Sequence, residues 1–594
     1  VIPFARQNGL ATADADALQL KYSQAATTAP AKASKGPYIY RAEDNFYQRA
    51  QTEAFGYQDV GNAEQRLYDM IRQSRDKSVF SAELSAKATD WPSYYHLTSQ
   101  RANLLRPFAD KIANGKILEL GAGCGAVTRF LGELGGEVVA LEGSPNRARV
   151  IGQRCADLKN VTIYSDLIQS FETDEKFDVV TLIGVLEYAQ VYVKEPDPLR
   201  FLLQTAKSFL KEDGMLIVAI ENQLGLKYFC GAPEDHMGQA MYGINDSYSS
   251  TSPITFGRVE LDALIRSAGF ETTELYVPLP DYKTPVSVIY PEGFNPAHRE
   301  AGWDVGALAA GSVVHDRQSP RHPTFSLENA WQVIARNNLV EDVANSFMFV
   351  AYPQRQSGKL HPEVLAAHYG CQRQAVFSKE TQFVHDGQGV VTRTRNTGET
   401  AQLLHAAWEQ APYHGGQLWM DKLTQLMNRP GWRVEDLAAW AAPWLNGLES
   451  ATVNTGKTLP EFAGYTALLP SQYFDATPTN FVMDKNGQGH FFDLEWDFAI
   501  PLPVAFVALR GLFLTLHRVR SCAKPQAGTP SNIGSLTLSV LELNGYHYRD
   551  DQLQAFISVF NRLQNMTQGS PETQVNGLTA EFTRAELPVR QLFT

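Results

Sequence analysis

The chain is predicted to be an α/β protein, with an open, mostly parallel sheet followed by a separate α+β unit. Three observations carry this. Short apolar runs alternate with helical patterns between about residues 106 and 354, the rhythm of βαβ units. The first run enters a turn with glycines at alternate positions, Gly121, Gly123 and Gly125, and the second ends on the carboxylate of Glu142. Beyond residue 370 strand pairs joined by short turns replace that rhythm.

Residues 116–120 (KILEL) form the first strand. Glycine follows where backbone must turn tightly and approach a ligand, since a Cβ there would collide with it. Residues 138–142 form the second, and an acid at its tip can accept hydrogen bonds from ribose hydroxyls. Together they place a nucleoside-type cofactor across the carboxyl ends of the sheet. Residues 160–164 are the third strand, with Asp166 just beyond it. The fourth, 177–183, is continuously apolar, as a strand buried on both faces must be. A helix over 199–210 leads to the fifth strand at 214–220, and a last crossover helix spans 255–270 with a stop at Gly269. The sixth strand falls near 274–277 or 286–290 and the seventh at 345–351. Between them, about 291–340 is an irregular insertion suited to shaping an acceptor site. Upstream, residues 1–40 are expected to be a flexible leader. Residues 41–105 are expected to be a helical extension, with Ser99 capping a helix laid on the first strand.

The glycine spacing selects among nucleoside cofactors. A dinucleotide site uses G-x-G-x-x-G, whereas this run is G-x-G-x-G after an acidic LEL strand. That form resembles the first motif of class I S-adenosylmethionine (SAM) methyltransferases, over about residues 95–352. The resemblance implies a Rossmann-like seven-stranded domain at 106–354 with SAM as cofactor. It implies contacts from Glu119, Gly121, Gly123, Gly125 and Glu142, and from Gly184 and Glu187 of a GVLEY motif. It also implies Asp166 near the adenine amino group with Leu167 beside it. Tyr95, His96 and Arg101 would then lie at the methionine end, Arg101 facing its carboxylate.

Past the fifth strand, residues 221–236 are dense in acids and bases. Methyl transfer from a sulfonium is an in-line displacement, so alignment and exclusion of water come first. A hydroxyl acceptor also needs a base for its proton. His236 is the first candidate, with Glu234 or Asp235 as orienting partner and Glu221 or Glu234 as substitute bases. The alternative is a loop whose acids cap backbone amides. Asp281, Tyr282 and Lys283, between prolines, either bind acceptor or belong to a stiffened loop.

In the second half, Asp475 precedes Asn480 by five residues and Asp493 follows on the next strand. The spacing resembles the catalytic segment of protein kinases and aminoglycoside-type phosphotransferases. This implies an α+β kinase-like domain at 370–594, with Asp475 as base, Asn480 and Asp493 as Mg²⁺ ligands, and ATP as co-substrate. The departures are Tyr473-Phe474 in place of His-Arg, and Asp-Leu-Glu in place of Asp-Phe-Gly. An upstream hairpin at 375–395 lacks a phosphate-covering glycine loop and carries Arg393 or Arg395 where a lysine belongs. The combination resembles enzymes that cap O-antigen chains and methyltransferases of surface-polysaccharide clusters. It implies a sugar or glycan acceptor, polysaccharide-assembly glycosyltransferases as partners, and a cytoplasmic or inner-membrane-peripheral location. A small-molecule methyltransferase with an inactive, kinase-like docking module is the alternative.

Composition bounds these readings. The 594 residues suggest three or four domains. A net charge of −12 without a basic run disfavours nucleic acid, whose phosphates need clustered Lys and Arg. Five scattered cysteines offer neither a disulfide framework nor zinc spacing. The apolar stretch 504–516 contains Arg510 and is too short to span a membrane, so it reads as a buried helix. Val1 at the start and the strand-like run 587–594 at the end are expected to mark a fragment or a processed chain.

Overall fold

Fourteen strands hydrogen-bond into one sheet in the computed structural model, which describes residues 36–50, 62–453, 458–568 and 581–590. The expected leader over 1–35 lies outside the described residues. In chain order the strands are β1 (Tyr38–Arg41), β2 (Phe46–Arg49), β3 (Lys116–Leu120), β4 (Glu137–Glu142), β5 (Val161–Ser165), β6 (Phe177–Ile183) and β7 (Leu210–Glu221). They continue as β8 (Thr272–Leu279), β9 (Ser287–Ile289), β10 (Ser346–Tyr352), β11 (Val364–Gly370), β12 (Lys379–His385), β13 (Val390–Asn396) and β14 (Glu409–Pro412).

The centre runs β5-β4-β3-β6-β7-β10-β8. Its strands are parallel as far as β7, and β10 lies antiparallel between β7 and β8. This is a mixed α/β sheet of the Rossmann-like kind, with every expected strand in place. Helices α1 (Ala63–Gln73), α2 (Trp91–Leu97), α3 (Ala126–Glu133), α4 (Pro145–Arg154), α5 (Pro198–Ser208), α6 (Arg258–Ser267) and α7 (Leu327–Arg336) surround it. Strand order reverses between β3 and β6, so the carboxyl ends of those strands open a crevice where ligands bind in such sheets.

The sheet does not stop at seven strands. In β8, Thr272–Tyr276 pair with β10 while Val277–Leu279 pair with β9. From β9 the ladder continues antiparallel through β11, β12, β13 and β14. Both candidate positions for the sixth strand are thus strands. Residues 364–369, expected to lie between the domains, and 370–412, expected to begin the second, extend the first domain's sheet, because β9 presents an edge with Ser287, Val288 and Ile289 buried. At the other end, β2 pairs in parallel with β5, Tyr47 opposite Tyr164. This hairpin takes residues 38–40, expected as leader, and adds strands to an extension expected to be helical. Thr98, not Ser99, caps the next turn, a 3₁₀ helix over Ser99–Leu104.

The chain then forms α8 (Trp419–Met427), α9 (Val434–Ser450), α10 (Val504–His517), α11 (Ile533–Leu543) and α12 (Asp550–Gln568), with a three-stranded sheet of residues 417–418, 481–483 and 489–491. These elements close on their own core, which includes Trp419, Trp444, Phe474, Phe506 and Leu512. The apolar stretch becomes α10, buried on nearly every face, and its Arg510 donates to the Phe474 carbonyl and to Asp475. Among the described residues no helix is long and apolar enough to cross a membrane.

Candidate functional site

The crevice holds a cavity of about 310 Å³ beneath the turn that follows β3. The Gly121 and Ala122 N–H groups both donate to the Leu141 carbonyl (2.9 and 3.0 Å), tying the turn to β4. Gly121 has φ +75°, and a Cβ on it would lie 2.4 Å from Val185 Cγ2. Gly123 has φ +57° and faces the cavity, where a Cβ would meet no protein atom within 4 Å. One glycine is required by packing and the other by open space. Glu142 accepts the Gly123 N–H (2.8 Å) and the Ser144 N–H (2.9 Å), which holds its carboxylate at the rim. Gly125, expected as a cofactor contact, is not in the cavity wall. It heads α3, where its missing Cβ leaves room for Ile151 at 3.2 Å.

The remaining expected cofactor residues line the cavity: Arg101, Glu119, Asp166, Leu167, Gly184 and Glu187. Several already have protein partners. Glu119 accepts the Thr128 hydroxyl at 2.6 Å, and burial pushes its carboxyl up to about 8, only partly offset by that bond and by Arg101. Arg101 donates to the Tyr282 and Lys283 carbonyls and lies over the Tyr95 ring. Asp166 accepts from Tyr38 (2.6 Å) and Arg49 (2.7 Å), both of the amino-terminal hairpin. Sequence reasoning missed these two, since a four-residue strand carries no readable period.

At the far end of the cavity, β7 ends on Glu221 and the following loop returns His236 beside it. The His236 Nδ1 lies 2.8 Å from Glu234 Oε1, and its Nε2 lies 3.9 Å from both Glu187 Oε1 and Glu221 Oε2. Burial disfavours the imidazolium, but Glu221, Glu187 and Glu234 outweigh it and raise His236 to about 11. Burial raises Glu187, whereas Lys283 and His236 overcome burial and lower Glu221. Glu234 also accepts the backbone N–H groups of His236 and Met237. Glu234 thus both contacts the imidazole and caps two backbone amides. Lys283 donates to Glu221 and Asp235, Tyr282 donates to Glu221, and Lys227 donates to Asp235 and Gln318. The segment 281–283 thus meets the loop in one buried network. Lys227 was not foreseen, because a lone lysine in an apolar run gives no sign of its partners.

The second-half residues lie elsewhere. Asp475 accepts from Arg510 (3.1 Å) and the Trp496 indole (3.2 Å). The Asn480 amide donates to the Asp475 carbonyl (2.9 Å). Asp493 pairs with Lys379, which also holds Glu495, itself bound by Arg373. Of the two arginines upstream, Arg395 is clamped by Glu380 and Arg393 donates to Gln382.

Residues 118–216 match the family model described as a methyltransferase domain. Ubiquinone biosynthesis O-methyltransferase of Glaesserella parasuis is 29% identical over 120 residues, covering 19% of this chain and 48% of the relative. The chain thus spans about half the length of that curated relative. A SAM-dependent methyltransferase from Thermotoga maritima aligns at 21% identity over 31% of this chain and 76% of its own, with a TM-score of 0.23. Phosphoethanolamine N-methyltransferase 2 of Haemonchus contortus aligns at 18% identity over 43% and 52%, with a TM-score of 0.26.

Proposed function

We propose that the chain is a SAM-dependent O-methyltransferase whose acceptor is a hydroxyl of a sugar or glycan. Gly123 carries the reading: its backbone borders open cavity that a side chain would fill, beside a carboxylate held at the tip of β4. Bound there, SAM supplies a methyl group on a sulfonium. The chain's own residues close the cofactor space with Arg101 and Glu119 and bring the buried acid–base cluster to the same cavity. A cluster held in fixed geometry away from water suits an in-line transfer. The acceptor proton passes to one of its carboxylates, Glu221 or Glu187, because His236 is already charged. His236 and Glu234 fix where those acids stand. The curated relative's oxygen acceptor supports the O-methyl assignment, and the absence of a basic run argues against a nucleic-acid acceptor.

Calorimetry with SAM, followed by methyl transfer to surface-polysaccharide fragments and to free sugars, tests this reading. We expect micromolar SAM affinity. Glu221→Gln, which removes a proton acceptor, should slow single-turnover transfer by roughly 10²–10⁴-fold while leaving SAM affinity intact, and His236→Ala should slow it less. Failure to bind SAM would sink the assignment, and methylation of small non-sugar hydroxyls alone would favour a small-molecule enzyme.

A second reading concerns the carboxy-terminal unit. Each of its candidate acids meets a cation of the same chain, Arg510 of α10 for Asp475 and Lys379 of β12 in the large sheet for Asp493. This supports a docking module for polysaccharide-assembly enzymes over a phosphotransferase. A melting temperature raised by Mg²⁺ with ATP, and no longer raised in Asp493→Asn, would restore the phosphotransferase.

A further inference from the structure

Glu187, Glu221 and His236 are the one group of three His, Cys, Asp or Glu residues, among those described, whose ligand atoms all lie within 4.8 Å of one another. Their side chains are 1%, 2% and 8% exposed. A second observation is independent of that proximity. Glu187 Oε2 and Glu221 Oε2 are buried without any hydrogen-bond partner. The imidazole Nε2 lies 3.9 Å from Glu221 Oε2, beyond hydrogen-bond reach, and its contact with Glu187 is to the other oxygen, Oε1, also at 3.9 Å. A buried, unpaired carboxylate oxygen is costly enough that it calls for a ligand.

The surroundings favour a cation. His236 turns its Nδ1 to Glu234 at 2.8 Å, the outer carboxylate that fixes a metal-ligating histidine and leaves Nε2 for the ion. Glu221 is oriented likewise, its Oε1 accepting from Lys283 and Tyr282 while Oε2 stays free of them. One imidazole and two carboxylates suit a divalent ion that accepts both nitrogen and oxygen. With bonds of about 2.0–2.2 Å, neighbouring ligand atoms sit roughly 3.0–3.5 Å apart. From 3.9 Å the two imidazole–carboxylate pairs need to close by about an ångström or less, and from the 4.8 Å bound on the group the widest closure is about 1.8 Å.

We propose that Glu187, Glu221 and His236 form a divalent-cation site of the Mn²⁺ or Zn²⁺ type, with open positions facing the cavity. Resting on the methyl-transfer reading, the ion would hold the acceptor through its hydroxyl oxygens, which gives the cluster its preference for polyhydroxyl substrates.

The full chain, stripped with chelator, is titrated with Mn²⁺ alone and followed by calorimetry and by loss of the free-Mn²⁺ paramagnetic signal. One ion per chain is expected, bound at least tenfold more weakly in Glu187→Gln and in His236→Ala. Each variant's melting temperature is measured in parallel, and Glu221→Gln stands in for either that fails to fold. No Mn²⁺ or Zn²⁺ bound at millimolar concentration, or variants binding like wild type, would overturn the proposal. SAM is titrated separately. SAM bound without metal defeats the cation site alone, whereas metal bound without SAM supports the site and defeats the cofactor reading.

Discussion

Gly121 and Gly123 are two residues apart and share a left-handed backbone, yet they should respond differently to the same substitution. In Gly121→Ala the new methyl meets Val185 at 2.4 Å, so overpacking of about 1–3 kcal/mol adds to backbone strain. In Gly123→Ala only the strain of roughly 1–2 kcal/mol applies, since the methyl enters the cavity. We expect Gly123→Ala to fold with a modest loss of melting temperature and at least tenfold weaker SAM binding. Gly121→Ala should lose more stability. Equal SAM affinity in folded Gly123→Ala and wild type would show that the cavity is not the cofactor site. Glu119 gives a pH test. Its carboxyl titrates near 8 when folded, against an ordinary 4.5, because it is buried. Between those values the folded protein keeps a proton that the unfolded chain releases. Its contribution to stability therefore falls as pH rises from about 4.5 to 8, then levels off. Glu119→Gln is neutral throughout, so its stability relative to wild type should climb across that window by a few kcal/mol. Thermal melts from about pH 5 to 9 with a flat difference would reject the buried acid. At this scale the sequence picked out Gly121, Gly123, Glu142 and His236, which all line the cavity, but also Gly125, which does not. It could not name Tyr38, Arg49 or Lys227, whose roles come from contacts made by folding.

Elements were legible where period and length agreed. The βαβ rhythm placed β3 to β7, α5 and α6 to within a few residues, because buried parallel strands read as unbroken apolar runs. The hairpin of β12 and β13 was also read correctly as a hairpin, but not its partners, since pairing with β11 joins residues that no local pattern connects. That hairpin carries a testable interaction. Glu380 is fully buried and accepts from Arg395 through both Nε (2.9 Å) and Nη2 (2.7 Å), while Arg395 also donates to the Leu403 carbonyl. Removing one member of a buried pair leaves the other charge uncompensated, at a cost of about 3–5 kcal/mol. Glu380→Ala should therefore lower the urea midpoint substantially, whereas Glu380→Gln, which keeps an acceptor, should lower it less. A change below about 1 kcal/mol in Glu380→Ala would mean that the guanidinium reaches water and that β13 is not locked to β12 by this pair.

For the whole molecule, the pattern change near residue 370 suggested a domain boundary, whereas the hydrophobic cores divide close to residue 415. The large sheet packs clusters drawn from residues up to Tyr413, and the carboxy-terminal unit packs its own, beginning at Trp419. Among the described residues no apolar cluster is shared. The two units meet through Gln332 with Asp421, Asn329 with Thr424, Arg373 with Glu495, Lys379 with Asp493, and the edge of Phe377 against Trp496. A chain ended after Tyr352 would strip β11 to β14 from β9 and bare Val288, Ile289 and Tyr290, which are buried in the intact sheet. It would also leave β9 as an open edge, a template for aggregation. A chain ended after Gly416 keeps every strand of the sheet and parts mainly polar contacts. We expect the longer truncation to unfold cooperatively and bind SAM within a few-fold of the full chain. The shorter one should be aggregated or lack a cooperative transition. Calorimetric melts with SAM titrations on both decide the matter. If the chain ending at Tyr352 folds and binds SAM while the one ending at Gly416 does not, the strands beyond β10 belong energetically to the carboxy-terminal unit, and the continuous ladder at β9 is not what holds the sheet together.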